Sequence, residues 1–400
     1  MNLKLKTYLW AVVALLMVNT AIGQEALFGA QEIKSPEIHE DNSVTFRFLA
    51  PKADSVKLTG DFLPTIKIQT QFGAMDVPGP VHLSKGDNGV WSFTTQPLSS
   101  ELYNYAFEVD GLRTTDPNNP FLIRDVASVT NIFIIGGGHA DLYKDNDVPH
   151  GTVAKRWYDS PGLGMDRRIT IYTPPGYESS NQKYPVLYLL HGAGGDEEAW
   201  SDLGRTAEIM DNLIAQGKAK SMIVVMPNAN ITQDAAPGKG RDGFYKPQFM
   251  APGTMQGAYE ANFMDIIKFT ESNYRVIADK AHRAIAGLSM GGFHTMHISR
   301  YYPNTFDYAG LFSAAIMPRE DASGLDVYKD IDGTLKRQMD NGLKLYYIAI
   351  GKTDFLYNAN KEFRDKLDAM GMDYEYLETE GGHIWRNWRV YLSDFAPKLF

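Results

Sequence analysis

The sequence predicts an α/β protein preceded by an all-β unit: a sandwich of short strands, then a mostly parallel sheet covered by helices. Three observations predict it. Short alternating strands bounded by turn signals fill residues 26–137. From residue 152 to 400, apolar strand-like runs alternate with helical stretches, the pattern of a parallel sheet with helices on both faces. Between one such run, Ala284-Ile285-Ala286, and the helical pattern that follows lies Gly287-Leu288-Ser289-Met290-Gly291. A serine on a tight strand-to-helix turn is pushed out of the sheet, with the helix N-terminus beneath it.

The elements follow in chain order. Residues 1–23 read as a signal peptide: Lys4 and Lys6 open it, residues 10–18 form a short apolar core, and Ala21-Ile22-Gly23 is a small-x-small cleavage site. The apolar run is too short to span a bilayer easily, so no stable membrane insertion is expected, and the predicted location is periplasmic or secreted. In the all-β unit, strands are expected at residues 43–49, 55–60, 89–94, 102–109 and 129–135, with Asp110-Gly111 as a hairpin turn. This spacing suggests an immunoglobulin-like sandwich. Residues 138–151 are polar, follow a glycine run, and read as a linker. In the α/β domain, strands are expected at 168–173, 186–190, 222–226, 283–287, 308–313 and 345–350, and helices at 206–216, 261–272, 292–302 and 359–370. Residues 228–257 form a long irregular stretch carrying Phe244 and Tyr245, the kind of loop that shapes a cleft.

Composition removes several function classes. Of 400 residues 44% are hydrophobic, enough for two cores. The net charge is −9 with no basic run, which gives nucleic-acid binding no support. There is no cysteine, so structural disulfides, thiolate metal sites and a lipidated cysteine at the cleavage point are all excluded. His294 and His297 share a helical face, but no acidic third ligand lies nearby and Met296 between them suggests packing, so no metal is expected.

The chemistry assembles around Ser289. A serine hydroxyl is inert at neutral pH unless a base takes its proton. In an α/β-hydrolase fold the order along the chain is serine, acid, histidine. His383 follows two glycines in a loop before the last helix and is the expected base. Asp354 follows the strand at 345–350 and is the expected acid; Asp326 and Asp330 compete, but no strand precedes them. His191-Gly192-Ala193-Gly194-Gly195 follows the strand at 184–190. The oxyanion donors are expected to be the backbone N–H groups of Met290 and Ala193, with His191 supporting its loop. Trp200, Phe244, Tyr245 and Trp385 are candidate substrate-binding aromatics. No metal or organic cofactor is needed for this chemistry.

These motifs carry a resemblance. Leu189-Leu190-His191-Gly192-x-Gly194-Gly195, Ala286-Gly287-Leu288-Ser289-Met290-Gly291-Gly292 and Gly382-His383-x-Trp385-x-x-Trp388-Arg389 resemble carbohydrate esterase family 1, over roughly residues 155–400. The resemblance implies removal of side groups from plant xylan, as by feruloyl and acetylxylan esterases, and the segment after His383 is most similar to the feruloyl members. It implies a feruloylated or acetylated plant polysaccharide as partner. The wider group also holds esterase D enzymes, mycolyltransferases and enterochelin esterases, the last sharing an amino-terminal β-domain, so siderophore cleavage stays open. Ser313-Ala314-Ala315 departs from the usual Ser-Gly-Ala. The first domain, through Phe46-Arg47-Phe48-Leu49-Ala50-Pro51 and residues 103–117, resembles the early-set sandwich of family 48 carbohydrate-binding modules. It is read as a packing domain that shapes the cleft rather than as a sugar-binding module.

Overall fold

A computed structural model describes residues 33–70, 73–125, 128–232, 253–316 and 326–400. The expected signal peptide, Phe244 and Tyr245 lie outside these residues. Among the described residues, no helix is long and apolar enough to cross a membrane.

The amino-terminal unit closes two antiparallel sheets on one core. One sheet is built on Val44–Leu49 and Val90–Thr94, with Glu37–Ile38 and Ser84–Lys85 at its sides. The other runs in the order Leu122–Asp125, Ser128–Ile135, Glu101–Val109, Val56–Gly60, Val81–His82. Period-two alternation sends Val44 and Phe46 from the first sheet, and Val56, Leu58, Tyr103, Tyr105, Phe107 and Phe133 from the second, into the shared interior. Phe46 sits edge-on to Tyr105 at 4.7 Å and to Phe133 at 5.5 Å, geometries that aromatic quadrupoles favour. The expected hairpin is present: Val109 pairs with Leu112 across Asp110 (φ 46°) and Gly111 (φ 88°). Two successive positive φ values are what a type I′ turn requires, which is why Asp-Gly suits the site.

The second unit is an eight-stranded sheet. Its strands are β1 (Thr152–Ser160), β2 (Met165–Thr173), β3 (Val186–Leu190), β4 (Ile223–Pro227), β5 (Arg283–Leu288), β6 (Tyr308–Phe312), β7 (Leu345–Gly351) and β8 (Glu375–Thr379), in the spatial order β1-β2-β4-β3-β5-β6-β7-β8. β1 and β4 flank β2 antiparallel, and every other neighbour is parallel. Residues of β3, β4, β6 and β7 are buried throughout, because helices cover both faces and leave no solvent side for polar alternation. The principal helices are α1 (Thr206–Ala215), α2 (Phe263–Asn273), α3 (Met290–Tyr301), α4 (Ile331–Asp340), α5 (Tyr357–Met370) and α6 (Trp385–Phe395). The helices α2, α3, α4 and α5 bury Phe263, Phe293, Leu335 and Phe363 on one face of the sheet. On the other, α1 and α6 bury Ile209, Leu213, Tyr391 and Phe395. This is the α/β-hydrolase arrangement. The expected strands and helices of this half are all present, within a few residues of their expected ends. β1 and β8, which the apolar pattern did not signal, are the two half-exposed edges.

Two findings concern how the units join. The core on the α1/α6 face takes in Leu102, Ile123 and Ile132 of the amino-terminal unit. And residues 138–151, expected as a linker, are docked. His139–Tyr143 form a 3₁₀ turn that buries Ala140 and Tyr143. The Asn212 amide on α1 donates to the Leu142 and Lys144 carbonyls, each at 3.0 Å, and Arg205 Nε donates to the Tyr143 carbonyl at 2.9 Å. The neighbouring Asp211 carboxylate accepts the Gly151 N–H at 2.9 Å and the Tyr172 hydroxyl at 2.6 Å. Glycine runs also mark segments that must pass close to a neighbour, and here that reading wins over flexibility.

A buried ion pair fastens the join. Glu101 and Arg389 are both almost fully inaccessible, and their Oε1 and Nη2 lie 3.0 Å apart. Arg389 also donates to the Leu203 carbonyl at 2.9 Å and the Leu102 carbonyl at 3.2 Å. Removing Arg389 leaves the buried Glu101 carboxylate without its one buried charge partner, and breaking such a pair is costly. Arg389→Met should therefore lower unfolding free energy in urea by about 3–5 kcal/mol, and adding Glu101→Leu should restore much of it.

Candidate active site

Ser289 occupies the turn between β5 and α3 with φ 53° and ψ −113°, a region that side-chain-bearing residues rarely visit. Its surroundings hold it there. The Ser289 N–H donates to the Phe312 carbonyl at 2.8 Å, and its own carbonyl accepts from Ala315 at 2.9 Å and Phe293 at 3.0 Å. The flanking glycines are steric necessities. A Cβ on Gly287 would stand 2.4 Å from the Gly291 carbonyl oxygen, and one on Gly291 2.4 Å from that of Leu190. α3 starts at Met290, so the expected donor N–H belongs to the first turn of a helix, where N–H groups lack intrahelical acceptors and the dipole favours negative charge.

The His191–Gly195 turn lies directly alongside. A Cβ on Gly192 would meet the Ser289 Cβ at 3.3 Å and the Leu288 side chain at 2.4 Å. His191 is fully buried. Its Nδ1 shares a 2.7 Å hydrogen bond with the Gly192 carbonyl, and its Nε2 accepts the Ala229 N–H at 2.9 Å. Those contacts require the neutral ring protonated on Nδ1, and burial pushes its pKa down to about 4. The imidazole ties the turn carrying Ala193 to the end of β4, which is the supporting role expected of it. From the other side, Arg124 of the amino-terminal unit pairs with Asp196 at the end of the same turn.

Asp354 and His383 meet at the carboxyl ends of β7 and β8. His383 Nδ1 lies 2.9 Å from Asp354 Oδ2 and 3.1 Å from Oδ1. Asp354 is buried, and its Oδ1 also accepts the Leu356 N–H at 2.9 Å. The two loops are laced together: Lys352 N–H donates to the Thr379 carbonyl at 2.9 Å and Thr353 N–H to that of Gly381 at 3.0 Å. With Nδ1 committed to the carboxylate, Nε2 is the nitrogen left for proton exchange. Because β5, β6, β7 and β8 run parallel, Ser289, Asp354 and His383 all emerge at one edge of the sheet.

The aromatic expectations divide. Trp200 is corrected: it is 1% exposed, its indole N–H donates to the Leu190 carbonyl at 2.9 Å, and its ring packs against Phe312 and Trp385. It props the end of β3 and presents no face to a ligand. Trp385 is half-buried, edge-on to Trp200 and Trp388. His294 is fully buried, its Nδ1 2.8 Å from Glu260 Oε1, which also accepts the Tyr328 hydroxyl. No group of three or more metal-ligating side chains is found among the described residues.

Sequence reasoning missed three features. Phe355 and Ile384 are large, exposed and beside His383; their positions next to Asp354 and His383 were the available signal. Arg124 and Asp196 stand 72 residues apart, and nothing local announces their pairing.

Comparison with known proteins gives the following. An esterase family profile matches residues 160–399. An endo-1,4-beta-xylanase/feruloyl esterase of Xylanibacter ruminicola is 30% identical over 372 residues, covering 91% of this chain and 46% of that protein, so the chain spans about half the length of this relative. The solved structure of a ferulic acid esterase is similar with a TM-score of 0.50 at 26% identity, covering 62% of this chain and 97% of the other. The enterobactin esterase of Shigella flexneri has a TM-score of 0.60 at 14% identity, covering 89% of this chain and 92% of the other, a likeness of fold that includes much of the amino-terminal unit.

The neutral His191 makes stability depend on pH. Its contribution is complete above about 6.5, the ordinary histidine value, and is lost as pH falls towards about 4. Relative to a His191→Gln variant, the native chain should lose up to about 3 kcal/mol of unfolding free energy between pH 7 and 4, measured by urea denaturation at each pH.

Proposed function

We propose that this chain, which belongs to the esterase family and is a carboxylic ester hydrolase, releases ferulic acid and related hydroxycinnamoyl groups from plant arabinoxylan through a Ser289–His383–Asp354 triad. The single observation that carries the reading is the Asp354–His383 pair, set at the same sheet edge as the strained Ser289 turn. The relative named as a xylanase/feruloyl esterase, 30% identical across 91% of this chain, supports the substrate class.

Ser289 Oγ attacks the ester carbonyl carbon as His383 Nε2 takes its proton. Asp354 holds the imidazole in the required tautomer and stabilises the imidazolium that forms. The carbonyl oxygen, now anionic, is met by the backbone N–H groups of Met290 and Ala193, each donor of this kind supplying about 10²–10³ in rate. His383 returns its proton to the departing alkoxide. Water, deprotonated by the same nitrogen, then hydrolyses the feruloyl-enzyme. Trp385 contributes an apolar wall to the cleft.

We read residues 26–137 as an early-set, immunoglobulin-like sandwich that serves as a packing domain, and residues 152–400 as the catalytic domain. A polymeric substrate does not cross a membrane, so this reading carries export with it, in keeping with a leader over residues 1–23.

Ferulate release from methyl ferulate and from arabinoxylan tests the proposal. The native chain should release ferulate from both, and Ser289→Ala and His383→Ala should each lose at least ~10⁴-fold in kcat. Acetate release from acetylated xylan without ferulate release would move the substrate to acetyl esters. Cleavage of a catechol trilactone in place of both would move it to siderophores.

A further inference from the structure

The reaction imposes a direction on the surface around His383. The imidazole must hand its proton to the leaving oxygen, so the alcohol half of the ester has to come within hydrogen-bond reach of Nε2. Whatever exposed surface adjoins the ring on its open side therefore faces the alcohol rather than the acyl group.

That surface is specific. On its inner side His383 meets buried Asp354 and the edge of Trp388, whose ring lies 4.9 Å away and is buried. Phe355 also packs on the ring, with centroids 4.6 Å apart and planes tilted by 52°. Phe355 is 55% exposed, and Ile384, the next residue after His383, is 42% exposed. The pair is not free to move aside. The backbone following Phe355 is pinned to Asp354: Leu356 N–H donates to its carboxylate at 2.9 Å and Tyr357 N–H to its carbonyl at 2.9 Å. Ile384 N–H donates to the Gly382 carbonyl, and its own carbonyl accepts from Asn387 at the start of α6, both at 3.0 Å.

We infer that Phe355 and Ile384 form the subsite for the leaving alcohol, with the Phe355 ring offering a flat apolar platform to the C–H face of a sugar whose esterified hydroxyl lies at His383 Nε2. The inference rests on the esterase reading above and adds which half of the ester this surface selects. Aromatic faces with a few polar groups nearby are the usual form of such a subsite. The Asp354 carboxylate thus has a second role, since its bond to Leu356 N–H helps fix the platform while its contacts with His383 Nδ1 fix the base.

Two esters with one acyl group and different alcohols test it: methyl ferulate and a feruloyl-arabinosyl xylo-oligosaccharide. In Phe355→Ala the ratio of kcat/KM for the sugar ester to that for the methyl ester should fall at least ten-fold, with the loss confined to acylation. Both substrates form the same feruloyl-enzyme, so its hydrolysis, followed in single turnover, reports on His383 alone. Phe355→Trp should retain the sugar preference, and Ile384→Ala should lower the ratio by a smaller factor. An equal fractional loss on both esters, or slower deacylation, would overturn the inference and make Phe355 a positioning residue for His383. Failure of the substrate reading is visible separately, as a native chain that releases ferulate from neither ester. In that case acetylated xylo-oligosaccharide against a simple alkyl acetate provides the same ratio, and an unchanged ratio there overturns the inference equally.

Discussion

The buried pairing of Glu101 with Arg389 is the constraint on which much of the molecule hangs. The arginine stands on α6, a helix that starts two residues after His383. The glutamate stands at the first position of a long strand in the other unit. Glu101 Oε2 also lies 2.9 Å from His139 Nε2 and 3.5 Å from Arg386 Nε. One carboxylate thereby joins the sandwich, the docked connection and the helix behind the histidine loop. Arg389 is held by three acceptors, the Glu101 carboxylate and the Leu102 and Leu203 carbonyls, so the helix cannot shift without breaking several bonds at once.

The other half of the site is held in the same way. Arg124 reaches from an edge strand of the sandwich to Asp196, just past the turn that carries Ala193, and lies 3.9 Å from Glu198. The sandwich therefore touches the site on two sides, through the helix that follows His383 and through the turn that carries Ala193.

Legibility followed physics. The buried parallel strands β3 to β7 were readable because a strand covered on both faces becomes a continuous apolar run, and Ser289 was readable because its turn needs glycines at fixed offsets. Asp354 and His383 followed from chain order and now stand in contact. The edge strands β1 and β8 were not readable, since one side faces water and polar residues break the pattern. Trp200 was misplaced for a related reason: an indole that props a strand end and one that lines a cleft look alike in sequence, and only the acceptor of its N–H separates them. The pairing of Glu101 with Arg389 spans 288 residues and has no local signature at all.

The backbone of Ser289 carries a further consequence. At φ 53° and ψ −113° the residue best suited to the turn is glycine, which has no hydroxyl. Folding and reactivity therefore make opposite demands on one position, and the conflict is settled by neighbours: the carbonyl of Phe312, the N–H groups of Phe293 and Ala315, and the bare α-carbons of Gly287 and Gly291. Drift at any of these would release the turn towards comfort and idleness. The surroundings of Ser289 are thus less tolerant of change than burial alone suggests, and a search for stabilising substitutions would tend to find them where this strained turn is released.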